Sequence, residues 1–163
     1  MEISSYNSQR YRSRHDIYKY ILIIIYMFFY FDYSQYLSTS IVYVDLIGDL
    51  TDKKEFTLFT NQWLALYRLQ KPFIFVFRTA QINYVNFLFC IDMAMFIYTL
   101  KQQPIQYLKK SIFIIQNEYI RKLLSYIFYL QSPVSDIYII EKEDTLSSIL
   151  NNEPNDEIVH ITP

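Results

Sequence analysis

The stretch Ile41–Phe77, IVYVDLIGDLTDKKEFTLFTNQWLALYRLQKPFIFVF, decides the fold class. It opens on Ile41–Ile47, which is β-branched and in strand period, so Val42, Val44 and Leu46 share one face. Gly48 and Asp49 are expected to break that strand. Asp52 followed three residues later by Glu55 is a helix-start signal, because each side chain can satisfy a free amide of the first turn. Phe56, Phe59, Trp63 and Leu66 then fall on one stripe of a helix that Pro72 stops. Phe73–Phe77 is short and wholly apolar, as suits a strand covered on both faces. Strand, helix and buried strand in this order predict a parallel βαβ unit.

The alternation continues downstream. A second helix is expected from near Tyr84 to Gln102, with Val85, Leu88, Phe89, Phe96 and Leu100 along one side. Ser111–Ile115 reads as another buried strand. Asn117 can cap a third helix, in which Ile120, Leu123, Leu124, Ile127 and Phe128 give helical spacing. Pro133 punctuates, Asp136–Ile140 is a last strand, and Thr145–Leu150 a short final helix. Upstream, Tyr33–Ser40 is expected as an edge strand pairing with Ile41–Ile47. The order (β)βαβαβαβα predicts an α/β fold: a mostly parallel sheet of four to five strands with packed helices.

Three regions follow. Residues 1–31 form a leader, 32–150 the α/β domain, and 151–163 an acidic, mobile tail holding Glu153, Asp156 and Glu157. In the leader, Tyr20–Phe31 is uncharged, with Arg10, Arg12, Arg14 and Lys19 before it and Asp32 after. A membrane span needs about 20 apolar residues, and this run is shorter. It therefore reads either as a membrane anchor or as a segment packed on the sheet or on another subunit; a cleaved signal lacks a convincing small-residue site. The location expected is cytoplasmic or membrane-associated.

Composition removes much familiar chemistry. Of the 163 residues, 52% are hydrophobic and 19% charged, enough apolar matter for one core. Fifteen Lys and Arg stand against sixteen Asp and Glu, so there is no basic surplus to displace counterions and no nucleic-acid partner is expected. The single cysteine, Cys90, excludes an internal disulfide and a multi-cysteine metal site, and the single glycine, Gly48, excludes glycine-rich phosphate loops. Seventeen Tyr and thirteen Phe are what an AT-rich coding sequence drifts towards, so aromatic content alone is no argument for base stacking.

Candidate catalytic groups are sparse. His15 and His160 lie in the leader and the tail, without ligands at metal spacing. Cys90 sits in an apolar helix with no nearby base. Asp92 interrupts the apolar run Val85–Leu100 and marks either the solvent stripe of that helix or a polar contact in a groove or interface. Asp49, Asp52, Lys53 and Lys54 read as caps and solvated charge. Lys101, Lys109, Lys110, Arg121 and Lys122 form at most a modest basic face, and Trp63 reads as core. No catalytic residue, cofactor or metal is expected.

Leu46–Ile47–Gly48–Asp49–Leu50, the helix residues Ile120–Arg121–Lys122–Leu123–Leu124 and the strand Ile137–Ile140 together resemble the STAS family, the domain of anti-sigma-factor antagonists and of sulfate-transporter tails. The likeness covers roughly Asp32 to Leu150. That family carries a phosphoacceptor serine at the start of its second helix. The matching positions here are Asn86, Phe87, Leu88 and Phe89, and Arg78 falls where the family often has an Asp. No hydroxyl stands at the switch; Thr79 and Tyr84 are the nearest. The resemblance therefore implies a non-catalytic interaction or regulatory module without a serine phosphoswitch. Its partner surface would lie at Gly48, Asp49, Asn83, Tyr84, Asn86 and Phe87, and its partner would be a protein or a second copy. The alternative is a membrane-associated or lipid-contacting scaffold anchored through Tyr20–Phe31.

Overall fold

The computed structural model describes residues 27–163. The leader's basic residues, His15 and residues 20–26 of the apolar run lie outside the described residues. The elements are β1 (Phe29–Asp32), α1 (Tyr36–Thr39), β2 (Ile41–Leu50), α2 (Lys53–Arg68), β3 (Phe73–Val85), α3 (Leu88–Lys101), β4 (Leu108–Ile114), α4 (Glu118–Leu130), β5 (Asp136–Ile140), a 3₁₀ turn (Glu143–Thr145), α5 (Leu146–Leu150) and β6 (Val159–Ile161). The fold is α/β. One sheet carries its strands in chain order, β1-β2-β3-β4-β5-β6. The four inner strands are parallel; β1 and β6 run antiparallel on the two margins.

Parallel strands that advance across a sheet in one direction through right-handed crossovers place their helices on one face. The side chains agree. Val42, Val44, Phe73, Phe75, Phe77, Ile137 and Ile139 share one core with Phe59, Trp63, Leu66, Phe89, Leu100, Ile120 and Leu124 from the helices. The opposite face is thinner: Ile41, Tyr43, Val76, Ile112 and Ile140 pack under Leu146 and Ile149 of α5. On this second face Arg78 lies 4.2 Å from the centre of the Tyr43 ring and pairs with Glu143 at 2.7 Å and Asp45 at 3.6 Å. Arg78 thus ties the 3₁₀ turn to the sheet, at the position where the resembled family often carries an Asp.

Two helix starts are as the sequence predicts. Asp52 accepts a hydrogen bond from the Lys54 amide at 2.8 Å and Asn117 from the Tyr119 amide at 2.9 Å, each satisfying a donor of the first turn. Asp136–Ile140 and the buried run Phe73–Phe77 also stand as read.

Five expectations need correction. Among the described residues the sheet has six strands, not four to five, because short antiparallel strands flank the four parallel ones. The edge strand beside β2 is Phe29–Asp32 rather than Tyr33–Ser40. It places Phe29 and Phe31 in the core with Tyr30 outward, whereas Tyr36–Thr39 winds into one helical turn closed by Ser40 at φ 61°. The sheet domain therefore begins inside the segment assigned to the leader, with Phe28, Phe29 and Phe31 buried in its core. Gly48 does not end β2: the strand runs on to Leu50 through register shifts, with Gly48 at φ +70° absorbing the irregularity. Finally, the second helix starts at Leu88, not Tyr84, since β3 continues to Val85. In the tail, Val159–Ile161 pairs with β5, and His160 stacks on Tyr138 with ring centres 4.5 Å apart while meeting Asp136 at 3.2 Å.

Candidate functional site

The ends of β2 and β3 carry most of the residues that the sequence points to. Beyond the irregularity in β2, Gly48 pairs with Ile82, Asp49 with Tyr84, and Leu50 with Val85. The Asn86 amide then donates to the Leu50 carbonyl at 3.0 Å, holding the β3–α3 junction against the end of β2. The Asn86 side chain accepts from the Leu88 amide at 3.1 Å. Asn86 thus satisfies the first amide of α3 from one residue ahead of the N-cap position, Phe87, and its place before an apolar run is the signal that marks the helix start. Phe87 leans over Tyr126 of α4 with centroids 4.6 Å apart, and the Tyr119 hydroxyl donates to the Val85 carbonyl at 2.8 Å. Gly48, Asp49, Asn83, Tyr84, Asn86 and Phe87 therefore gather at one edge, with Asn83, Tyr84 and Phe87 exposed. At the same edge, burial holds the Glu55 carboxyl above its usual range, opposed by the Phe28 backbone and reinforced by Asp52.

From this edge α3 presents a feature that sequence periodicity did not separate. Its buried side is Phe89, Cys90, Ala94, Ile97 and Leu100. Its outward side is apolar too: Leu88, Ile91, Met95 and Tyr98 follow at i, i+3, i+7 and i+10, and are 64%, 41%, 65% and 59% exposed. Leu88 therefore leaves the core stripe in which the sequence reading put it, and Val85 leaves the helix. A helix apolar on all sides is normally buried on all sides. With Phe87 and Tyr84 at its head, this stripe exposes on the order of 500 Å² of apolar surface, the range in which patches on a single chain mark contact sites. Its only acid, Asp92, is half-buried at the flank of the stripe and makes no ion pair among the described residues.

The other singled-out groups are committed elsewhere. Cys90 is buried, and burial pushes its thiol above the usual range, away from nucleophile chemistry. Trp63 lies against Phe59, Phe75, Phe77 and Phe96. Lys101 donates to Ser132, Lys109 to the Gln106 carbonyl, and Lys110 to Asn152 and the Ile149 carbonyl. Arg121 pairs with Glu141 at 3.3 Å and Glu118 at 3.7 Å. Among the described residues no group of three His, Cys, Asp or Glu is placed to hold a metal ion, and no helix is long and apolar enough to cross a membrane.

In comparisons with known proteins, no family model, no curated protein and no solved structure matches the chain.

Proposed function

We propose that the chain is a non-catalytic interaction module of STAS-like type that docks a protein partner over the outer side of α3, without a serine phosphoswitch. The exposed stripe Leu88, Ile91, Met95 and Tyr98 carries the reading. Four large apolar side chains held out on one side of α3 are costly to leave wet, and covering them is the favourable step of an association. The strand and helix order supports the STAS-like reading, and Phe87 and Leu88 at the helix start supply no hydroxyl for phosphate. Against the alternative of a membrane scaffold stands the use made of Phe29–Phe31. With these residues in β1, the remainder of the apolar run falls further short of the length a span needs.

The test is a photo-crosslinking residue at Tyr98 of the full chain, a stripe position that none of the variants changes, with sedimentation over a concentration series to tell a second copy from a different protein. The Ile91→Lys, Met95→Lys double variant and the Phe87→Asp variant are compared with the parent. The expected result is loss of the crosslinked species with unchanged circular dichroism and melting temperature. A crosslink pattern and sedimentation behaviour indifferent to all three changes would place the interaction elsewhere.

A further inference from the structure

Beneath α2, α3 and α4, against the sheet, lies a partly open cavity of about 140 Å³. Protein interiors pack to crystal density and hold few voids larger than a water molecule, so a space of this size in one domain calls for an occupant. Water is a poor one. Among the described residues the wall contains no charged side chain, its Thr79 hydroxyl is already spent on the Ile114 carbonyl at 2.8 Å, and only two polar atoms, Ser111 Oγ and Trp63 Nε1, are left to hold water in a space several waters large. An apolar cavity of about 150 Å³ lined by Leu, Ile and Phe stays dry and accepts benzene.

We propose that this cavity is a ligand site for a small, uncharged, mainly apolar molecule of about the size of benzene or toluene. Its wall is aromatic and branched-aliphatic, with Trp63, Phe77, Phe89 and Phe113 facing Ile120 and Leu124, a lining suited to a flat ring. Two further wall features narrow the class. Among the described residues Ser111 Oγ and Trp63 Nε1 are buried without a hydrogen-bond partner, although buried polar atoms are nearly always paired. One neutral oxygen on the ligand would serve either of them. A carboxylate or an amine would meet no counter-charge and is excluded by the cost of desolvation. Several wall residues are only half-buried, Met93 and Val134 among them, and Met93 is unbranched and adaptable, so a small molecule has a way in. The site is separate from the outer stripe of α3, which lies on the opposite side of the same helix.

Benzene itself is the probe. The full chain, labelled at Ile and Leu methyl groups, is titrated with benzene and transferred magnetisation is recorded. Contacts to Ile120 and Leu124 are expected; contacts confined to Leu88 and Ile91, or none at all, would overturn the assignment. Thermal unfolding supplies the second reading, since a ligand at ten times its Kd lowers the unfolding equilibrium constant about tenfold. Cys90 in the wall should become correspondingly slower to react with a thiol reagent. The filled-cavity variants Ser111→Leu and Ile120→Phe should lose the response, whereas the outer-face variant Ile91→Lys, Met95→Lys should keep it. A response that survives filling, or that vanishes with the outer-face change, refutes the site; if neither filled variant folds, the methyl contacts of the parent decide alone.

Discussion

Truncating Phe31 to alanine tests whether the short strand β1 belongs to the core. The Phe31 ring is 5% exposed, and its centre lies 5.7 Å from Phe29, 5.7 Å from Phe59 and 5.8 Å from Phe75. A buried Phe→Ala change costs about 3–5 kcal/mol, made up of lost transfer energy and the cavity left behind. β1 is a four-residue margin strand that can settle inward, so the lower end applies, about 3 kcal/mol. For a domain of this size that corresponds to a fall in melting temperature of about 6–12 °C. The assay is urea and thermal unfolding followed at Trp63, whose ring touches Phe75 at 4.8 Å and Phe59 at 5.9 Å in the same cluster. A chain beginning at Tyr33 is the stronger perturbation. It removes Phe28, Phe29 and Phe31 together, at about 1.5–3 kcal/mol each before any cavity term, which approaches the whole stability of an ordinary domain. No cooperative transition is expected from it. A Phe31→Ala variant within about 1 kcal/mol of the parent, or a cooperative transition in the shortened chain, would refute the placement of β1.

Gly48→Ala should cost about 1–2 kcal/mol through its φ of +70° alone, because a Cβ there meets nothing within 4 Å; urea midpoints check this, and Gly48→Asn should be milder. Asp52→Ala and Asn117→Ala should each cost about 1 kcal/mol by releasing a first-turn amide, measured in the same way. Burial pushes the Tyr67 hydroxyl up to about 12, above its unfolded value near 10. Folding therefore favours the neutral ring: the contribution is whole below about pH 10 and is lost as pH rises through about 12. Tyr67→Phe should flatten the alkaline decline in stability by about 2–3 kcal/mol, read from urea midpoints along a pH series.

The parts of the fold legible beforehand were those in which local chemistry and tertiary packing agree. Asp52 and Asn117 sit where a helix must start, Pro72 where one must stop, and Phe73–Phe77 can only be covered on both sides. Elsewhere the pattern was degenerate. Phe29–Phe31 lies inside an unbroken apolar run, in which strand alternation shows only once Tyr30 is seen to point outward. Gly48 has the usual meaning of a breaker, although one positive-φ residue can also let a strand continue past an irregularity. β6 is three residues with partly exposed side chains and owes its place to pairing with β5. At the candidate site the edge residues Tyr84 and Phe87 were legible, but the stripe from Leu88 to Tyr98 was not. On a helix apolar around its whole circumference, periodicity cannot tell the side that meets the sheet from the side that meets something else.

The agreement between chain order and strand order bears on how the domain is made. Among the described residues every pairing in the sheet joins strands that are consecutive in the chain, and none of them has to be inserted between two that are already paired. A polypeptide emerging from the ribosome can therefore lay β2 against β1, then add β3, β4 and β5 one margin at a time. Each addition requires closure of only one helix-length loop. Until Val159–Ile161 emerges, the growing edge is an open parallel strand able to pair with any other chain in reach. The three residues of β6, slight as they are in the finished core, cover Ile137–Ile139 of that edge and leave a margin only three residues long.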